Sequence, residues 1–299
     1  MLASAQGATF IGSDVSGTAD LPEAEFLEAP DMGDLFHTTN GNDTVNAGGD
    51  SDWITDHGGA DQYNGGAGGT DLVSYSAWRN KHWMATTGIV ADLGAGTVTG
   101  PDGFVDRLTS IEGIRGTQFA DILRGSAGNN FFVGGPGRDT IEGRGGNDTA
   151  FYFWDQGGGI NANLTTGVVR DGVGGRDRLT SIETVVGTRW DDVFVDAAGA
   201  QRFEGRDGAD HFTFGKGNDT ALGGEGADTF KFVNRDFGTG RILDFENGAD
   251  VIHLTGASRF GLLNISSSAG NLVIGLGTSK VVLVGMGGTS LDASDFLFG

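Results

Sequence analysis

Two nonapeptides stand back to back in the middle of this chain. Gly134-Gly135-Pro136-Gly137-Arg138-Asp139-Thr140-Ile141-Glu142 runs directly into Gly143-Arg144-Gly145-Gly146-Asn147-Asp148-Thr149-Ala150-Phe151. Each is glycine-rich over its first four positions, with an aspartate at position six and an apolar residue at position eight. That spelling winds short coils into a parallel β-roll. Setting the aspartate at position six aligns three tracts. The first spans residues 38–75, with Asp43, Asp52, Asp61 and Asp71 in that slot and one extra residue, Gly69 or Thr70, interrupting the spacing. The second spans 116–151, with Asp121, Asn130, Asp139 and Asp148. The third spans 187–231, with Asp192, Gln201, Asp210, Asp219 and Asp228.

The apolar slot is as regular as the acidic one. It holds Val45, Ile54, Tyr63 and Val73, then Leu123, Phe132, Ile141 and Ala150, then Phe194, Phe203, Phe212, Ala221 and Phe230. One inward side chain per short strand fills a thin two-sheet solenoid. A solvated glycine-rich linker has no reason to keep such a column. The expected fold is therefore all-β: a parallel β-roll with duplicated β inserts and a C-terminal β cap.

The chemistry follows from the same spacing. Glycines let the backbone turn tightly and expose its carbonyl oxygens, and the aspartate adds a carboxylate. Calcium takes six to eight oxygens, more than one such turn supplies. Turns on one side of a two-strand coil recur every 18 residues, so each ion is shared by repeat n and repeat n+2. The pairs are Asp43 with Asp61, Asp52 with Asp71, Asp121 with Asp139, Asp192 with Asp210, and Asp210 with Asp228. Asn130 opposite Asp148, and Gln201 opposite Asp219, leave two sites one carboxylate short. Aspartates also cap ordinary turns, but capping does not demand stacked like charges.

The candidate ligands act by carboxylate or by main-chain carbonyl. In the first tract they are Thr38, Asn40, Asp43, Ala47, Gly49, Asp52, Gly59, Asp61, Gly66, Gly68 and Asp71. In the second they are Gly116, Gln118, Asp121, Gly125, Ala127, Gly135, Gly137, Asp139, Gly146 and Asp148. In the third they are Gly187, Arg189, Asp192, Gly205, Asp207, Gly208, Asp210, Gly217, Asp219, Gly224, Gly226 and Asp228. Each ion held at ~100 times its dissociation constant stabilises by ~2.7 kcal/mol, so about five to seven sites approach a typical domain's whole stability. The expectation is a chain unfolded without calcium and folded with it.

Between the tracts lie inserts at 76–115 and 152–186. Asp106-Arg107-Leu108-Thr109-Ser110-Ile111-Glu112 recurs unchanged as Asp177-Arg178-Leu179-Thr180-Ser181-Ile182-Glu183, and the same offset maps Ile89 to Ile160 and Asp139 to Asp210. The middle of the chain is a tandem duplication, and the inserts read as longer coils of the same solenoid. Residues 1–37 are acidic and lack the repeat, as an N-terminal arm or cap. Residues 232–299 lose the glycine period and gain strands such as Lys280-Val281-Val282-Leu283-Val284, as a cap over the open end.

Composition narrows the partners. A net charge of −21 argues against nucleic acid and anionic membrane surfaces. With 56 glycines but four prolines the chain is neither collagen-like nor proline-rich, and without cysteine it has no disulfide and no thiolate metal site. No apolar run approaches the ~20 residues of a transmembrane segment, and no basic-then-apolar leader opens the sequence. No H-E-x-x-H or G-x-S-x-G motif is present, and His37, His57, His82, His211 and His253 are scattered. The sequence thus names no catalytic residue. Its one unexplained patch is Trp78, Arg79, Lys81 and Trp83, a basic and aromatic loop in an acidic protein. A lectin or polysaccharide-active enzyme using that loop, with extracellular polysaccharide as partner, is the rival to a non-catalytic role.

The tracts resemble those of RTX (repeats-in-toxin) proteins, also called hemolysin-type calcium-binding proteins. Gly226-Ala227-Asp228-Thr229-Phe230-Lys231-Phe232, followed by Arg241-Ile242-Leu243-Asp244-Phe245, is similar to the C-terminal region of serralysin-type RTX domains. Asp295-Phe296-Leu297-Phe298 resembles the acidic-then-apolar tail read by type I secretion systems, with Gly299 one residue beyond it. The resemblance implies calcium as cofactor, type I secretion machinery as partner, and a secreted protein that folds outside the cell.

Overall fold

In the computed structural model, residues 9–11, 32–38, 41–76, 87–153 and 157–299 are described. Asn40 and the Trp78, Arg79, Lys81 and Trp83 patch lie outside the described residues. The chain forms two compact units, Met1–Thr149 with Thr180–Ile182, and Ala150–Leu179 with Glu183–Gly299. Both are β-rolls. Among the described residues, helix is confined to single turns at Phe260–Leu262 and Ala293–Asp295.

In the first unit, strands alternate between two sheets as the chain winds. One sheet pairs Thr9–Ile11, Thr44–Asn46 and Gln62–Asn64 in parallel, and the other pairs Met32–His37, Ser51–Thr55 and Leu72–Ser74. Equivalent repeat positions align, so Val45 sits beside Tyr63, and Ile54 beside Val73. Side chains on a strand alternate faces, which sends positions six and eight inward together and positions seven and nine outward. Val45, Ile54, Tyr63, Val73, Leu123, Phe132 and Ile141 are all buried. Met32–His37, read from the sequence as the end of the N-terminal arm, is already a strand of the roll.

The inserts depart from the expectation of longer coils. Val90–Asp92, Thr97–Thr99 and Val105–Thr109 form an antiparallel meander inside an otherwise parallel sheet. Its last strand lies against Gln62–Asn64 and its first against Ile122–Arg124, both in parallel. On the opposite sheet a single strand, Gly113–Arg115, bridges Leu72–Ser74 and Phe131–Val133. The meander's first turn is a capped one: Asp92 Oδ1 accepts from Ala95 N at 2.9 Å, and Gly96 takes a φ of 66°. The duplicated insert repeats this in the second unit, with Asn163 Oδ1 accepting from Thr166 N at 3.0 Å and Gly167 at φ 64°.

The second unit places Val193–Val195, His211–Phe214, Thr229–Phe232, Val251–Leu254 and Phe296–Phe298 in one parallel run. Its core is a stack of phenylalanines. The rings of Phe194, Phe212 and Phe230 lie 5.0 Å apart in succession and within 7° of parallel, because the strand spacing of ~4.8 Å sets the distance between identical slots. The other sheet carries Thr184–Val186, Arg202–Asp207, Thr220–Glu225 and Thr239–Ile242, then Ser279–Leu283 and the antiparallel strands Asn271–Leu276 and Asn264–Ser268. Coils thus continue past residue 231 before the hairpin closes the sheet.

Candidate metal centre

The position-six aspartates do not face solvent. All of them in the three tracts are at most 3% exposed. Each pair set by the 18-residue rule is in contact through one kind of bond, the Oδ1 of the later aspartate accepting the main-chain N–H of the earlier residue. The distances are 2.6 Å for Asp43 to Asp61, 2.8 Å for Asp52 to Asp71, and 2.8 Å for Asp121 to Asp139. In the second unit they are 2.7 Å for Asp192 to Asp210 and 2.9 Å for Asp210 to Asp228. Asn130 and Gln201 donate to Asp148 and Asp219 in the same way, at 2.7 and 3.0 Å. A column of carboxylates one coil apart is the result.

The ladder is longer than the motif. Asp34 N donates to Asp52 Oδ1, Asp61 N to Asp106 Oδ1, Asp71 N to Glu112 Oε2, and Asp228 N to Asp250 Oδ1. The signal was present as a carboxylate two residues before an inward apolar residue, in Asp34-x-Phe36, Asp106-x-Leu108, Glu112-x-Ile114 and Asp250-x-Ile252. Without the flanking glycines it went unread. Asp106 also meets Asp56 and Asp61, the three carboxylates lying with one oxygen each within 4.8 Å of one another, all buried. The Tyr63 hydroxyl lies 2.8 Å from Asp56 Oδ1 and 2.7 Å from Asp61 Oδ2, and Tyr75 donates to Asp106 Oδ2 at 2.9 Å.

The second oxygen, Oδ2, separates the turns. At Asp121 it accepts from Thr117 N at 2.7 Å, and at Asp192 from Thr188 N at 2.6 Å. At Asp52, Asp210 and Asp228 it is buried and accepts no hydrogen bond. An uncompensated buried carboxylate oxygen is costly. Burial accordingly pushes Asp210 up to about 8, with Asp192 and Asp228 adding like charge, and pushes Asp71 and Asp228 to about 7. Asp121 and Asp192, given donors by their threonines, rise only to about 6.

The glycines are held by the same oxygens. A Cβ on Gly116, Gly187, Gly205 or Gly223 would collide with the Oδ2 of the aspartate that follows in its turn. Gly65 does this for Asp71, the extra residue being taken up after it. Position-four glycines face a carbonyl from the coil before: Gly41 O points at Gly59, Phe119 O at Gly137, Gly128 O at Gly146, Gly199 O at Gly217 and Gly208 O at Gly226. At position two, Gly48 O points at Gly66, Thr117 O at Gly135 and Arg206 O at Gly224. The position-three candidates Gln118, Ala127, Arg189 and Asp207 are exposed, so only their carbonyls are available to a buried ion. Gly68 meets nothing within 4 Å. Thr38 is engaged, its hydroxyl donating to Thr55 O at 3.2 Å and accepting from His57 N at 3.0 Å. Ala47 and Gly49 pair with the next coil, Ala47 N donating to Asn64 O and Gly49 bridging Ala67; Gly125 and Gly135 stand in the glycine rows of the second tract.

Buried oxygens with no donor, rows of carbonyls and glycine-lined space fit a hard cation that prefers oxygen. The RTX calcium-binding nonapeptide repeat matches this chain in four copies, at residues 37–72, 115–150, 186–221 and 195–230. The chain carries RTX calcium-binding repeats, folds as a β-roll and takes Ca2+ as its cofactor. Among solved structures it is similar to the extracellular lipase LipA from Serratia marcescens, at 20% identity over 62% of this chain and 40% of that one, with a TM-score of 0.26. It is also similar to the AlgE6R3 subunit from the Azotobacter vinelandii mannuronan C5-epimerase, at 23% identity over 60% of this chain and 78% of that one, with a TM-score of 0.22. The chain thus spans well under half of the lipase's length. No curated protein matches it. Among the described residues, no helix is long and apolar enough to cross a membrane.

Proposed function

We propose that this is a secreted, non-catalytic RTX protein that leaves the cell unfolded through type I secretion machinery and folds outside on binding calcium, for a surface, matrix or adhesion role. The observation that carries the calcium step is the column of buried aspartates whose Oδ2 atoms at Asp52, Asp210 and Asp228 have no donor. Calcium, when bound, supplies the positive charge that those oxygens lack. The chain's own part is to bring two coils' oxygens together: Asp43 with Asp61, Asp52 with Asp71, Asp121 with Asp139, and Asp192 with Asp210 and Asp228. The position-two and position-four carbonyls complete the sets. Because ligands from two coils meet only when the sheets pair, binding and folding are one equilibrium.

Export before folding accords with the C-terminal strand. Phe296 and Asp295 are buried in the folded chain, and Phe296–Phe298 pairs with Val251–Leu254. A receptor that reads this segment must meet it before the sheet forms. The test is a calcium titration of the chelated chain followed by circular dichroism, with calorimetry counting the ions. The expected result is a cooperative coil-to-β transition taking up about five to seven ions. A full β spectrum in excess chelator, with no ion bound on titration, overturns the proposal.

A further inference from the structure

Gln201 stands where the repeat has an aspartate, and the 18-residue rule leaves the site it shares with Asp219 one carboxylate short. Asn130 has the same defect, and there the amide is at rest: its Oδ1 accepts from Ser126 N at 2.6 Å and its Nδ2 donates to Glu112 O at 3.2 Å. Gln201 is not. Its Oε1 is buried and accepts nothing.

A carboxylate reaches this turn from another slot. Positions six, eight and ten of a strand share a face, so Asp192, Phe194 and Asp196 all point inward, and Asp196 is 5% exposed. Position ten is position one of the next turn, where Gly187, Gly205 and Gly223 stand in this unit because a Cβ there would strike the position-six carboxylate. With no carboxylate at Gln201, an aspartate fits. Asp196 Oδ2 accepts from Gly215 N at 2.8 Å, in the turn one coil on that ends at Asp219, whose Oδ1 accepts from Gln201 N at 3.0 Å. Two buried carboxylates serving one turn carry like charge that a cation would offset. The nearby ammonium, Lys216, is turned outward onto Asp236 at 2.9 Å and leaves the buried pair alone.

The space beside the pair is built of oxygen. The point where a Cβ would stand on Gly217 lies 2.7 and 2.8 Å from the two Asp219 carboxylate oxygens, and Gly199 O is closer still. We propose that Asp196, Asp219, the Gln201 side-chain oxygen and the Gly199 carbonyl form a calcium site, with Asp196 replacing the carboxylate absent at position 201. The inference rests on the calcium reading above and adds a ligand outside the nonapeptide motif.

Calcium would be counted calorimetrically on the full chain. Asp196→Asn keeps an acceptor for Gly215 N and should bind one ion fewer than wild type, while Asp236→Asn, an equal charge change at an exposed site, should bind the wild-type number. Gln201→Asp alone should add no ion, and in the Asp196→Asn background it should restore the lost one. An unchanged count and affinity in Asp196→Asn, with wild type binding several ions, overturns this site alone. So does an extra ion in Gln201→Asp, which is informative even where Asp196→Asn fails to fold. A wild-type chain that binds none overturns the calcium reading itself.

Discussion

Consecutive turns on one edge of the second unit put an aspartate in the same slot and treat it in opposite ways. In Gly187-Thr188-Arg189-Trp190-Asp191-Asp192, the threonine N–H points at Asp192 Oδ2, and its hydroxyl lies 2.9 Å from Oδ1. In Gly205-Arg206-Asp207-Gly208-Ala209-Asp210, Arg206 takes a φ of 86°, in the left-handed region, and Asp210 Oδ2 receives no donor. Gly135 and Gly224 hold the same conformation at position two, with φ of 84° and 99°. Thr188 and Thr117 do not. A β-branched residue resists positive φ, so threonine keeps its N–H facing the carboxylate. The aspartate therefore has two separable tasks: Oδ1 fastens one coil to the next, and position two decides whether Oδ2 is filled by the protein or left to a cation.

The sharpest break of this comparison is to remove each aspartate in turn. Asp210→Asn should weaken calcium binding by about 10- to 100-fold, the range for losing a metal-site group, and Asp192→Asn should do much less because threonine already serves its Oδ2. Equal losses on calorimetric titration would show that position two does not matter.

Next in size is the cost of crowding the carboxylate. Gly205→Ala pushes a methyl into Asp210 Oδ2 and Gly223 O and should destabilise by about 2 kcal/mol, in the range for overpacked interiors. Gly288→Ala, with nothing within 4 Å, is the control and should be near neutral in thermal melts.

Acidity divides the same turns. In the chelated chain, Asp210 titrates at about 8 when folded against 3.8 as its ordinary value. Its favourable contribution is complete below the lower value and is lost as pH rises through the upper one. Asp192, at about 6, has lost its share by then. Any folded population in chelator should therefore melt higher at pH 5 than at pH 8. With calcium bound the order reverses, since protons compete for the oxygens. A calcium-bound melting temperature that does not fall on acidification would contradict the assignment.

The smallest effect belongs to Thr188→Val, which removes the hydroxyl but not the N–H. That hydroxyl lies against Asp192 Oδ1 and accepts from Trp190 N, so its loss should cost about 1 to 1.5 kcal/mol in thermal unfolding.

Much of the site was legible. The pairs Asp43–Asp61, Asp121–Asp139 and Asp192–Asp210 follow from counting, because a two-strand coil of fixed length returns the same slot to the same edge. The threonine turns went unread, although Gly-Thr-x-x-x-Asp stands in place of Gly-Gly-x-Gly-x-Asp. Asp106 was not, because its partner Asp61 lies 45 residues away across an insert whose strand order runs backwards. Asp196 escaped for another reason: it stands at position one of its turn, outside the position-six slot that the motif marks.

The sequence by itself determined the nine-residue coil, the inward column of Val45, Tyr63, Phe194 and Phe212, and a stack of carboxylates suited to calcium. Those depend on spacing within one or two coils, where strand alternation leaves little choice. The tertiary structure alone decided which coils flank the inserts, which residues extend the ladder at Asp34, Asp106 and Asp250, and which oxygens are left without a donor. Those depend on which N–H groups arrive from a neighbouring coil once the sheets have paired, and a buried oxygen's partners are set by that three-dimensional neighbourhood.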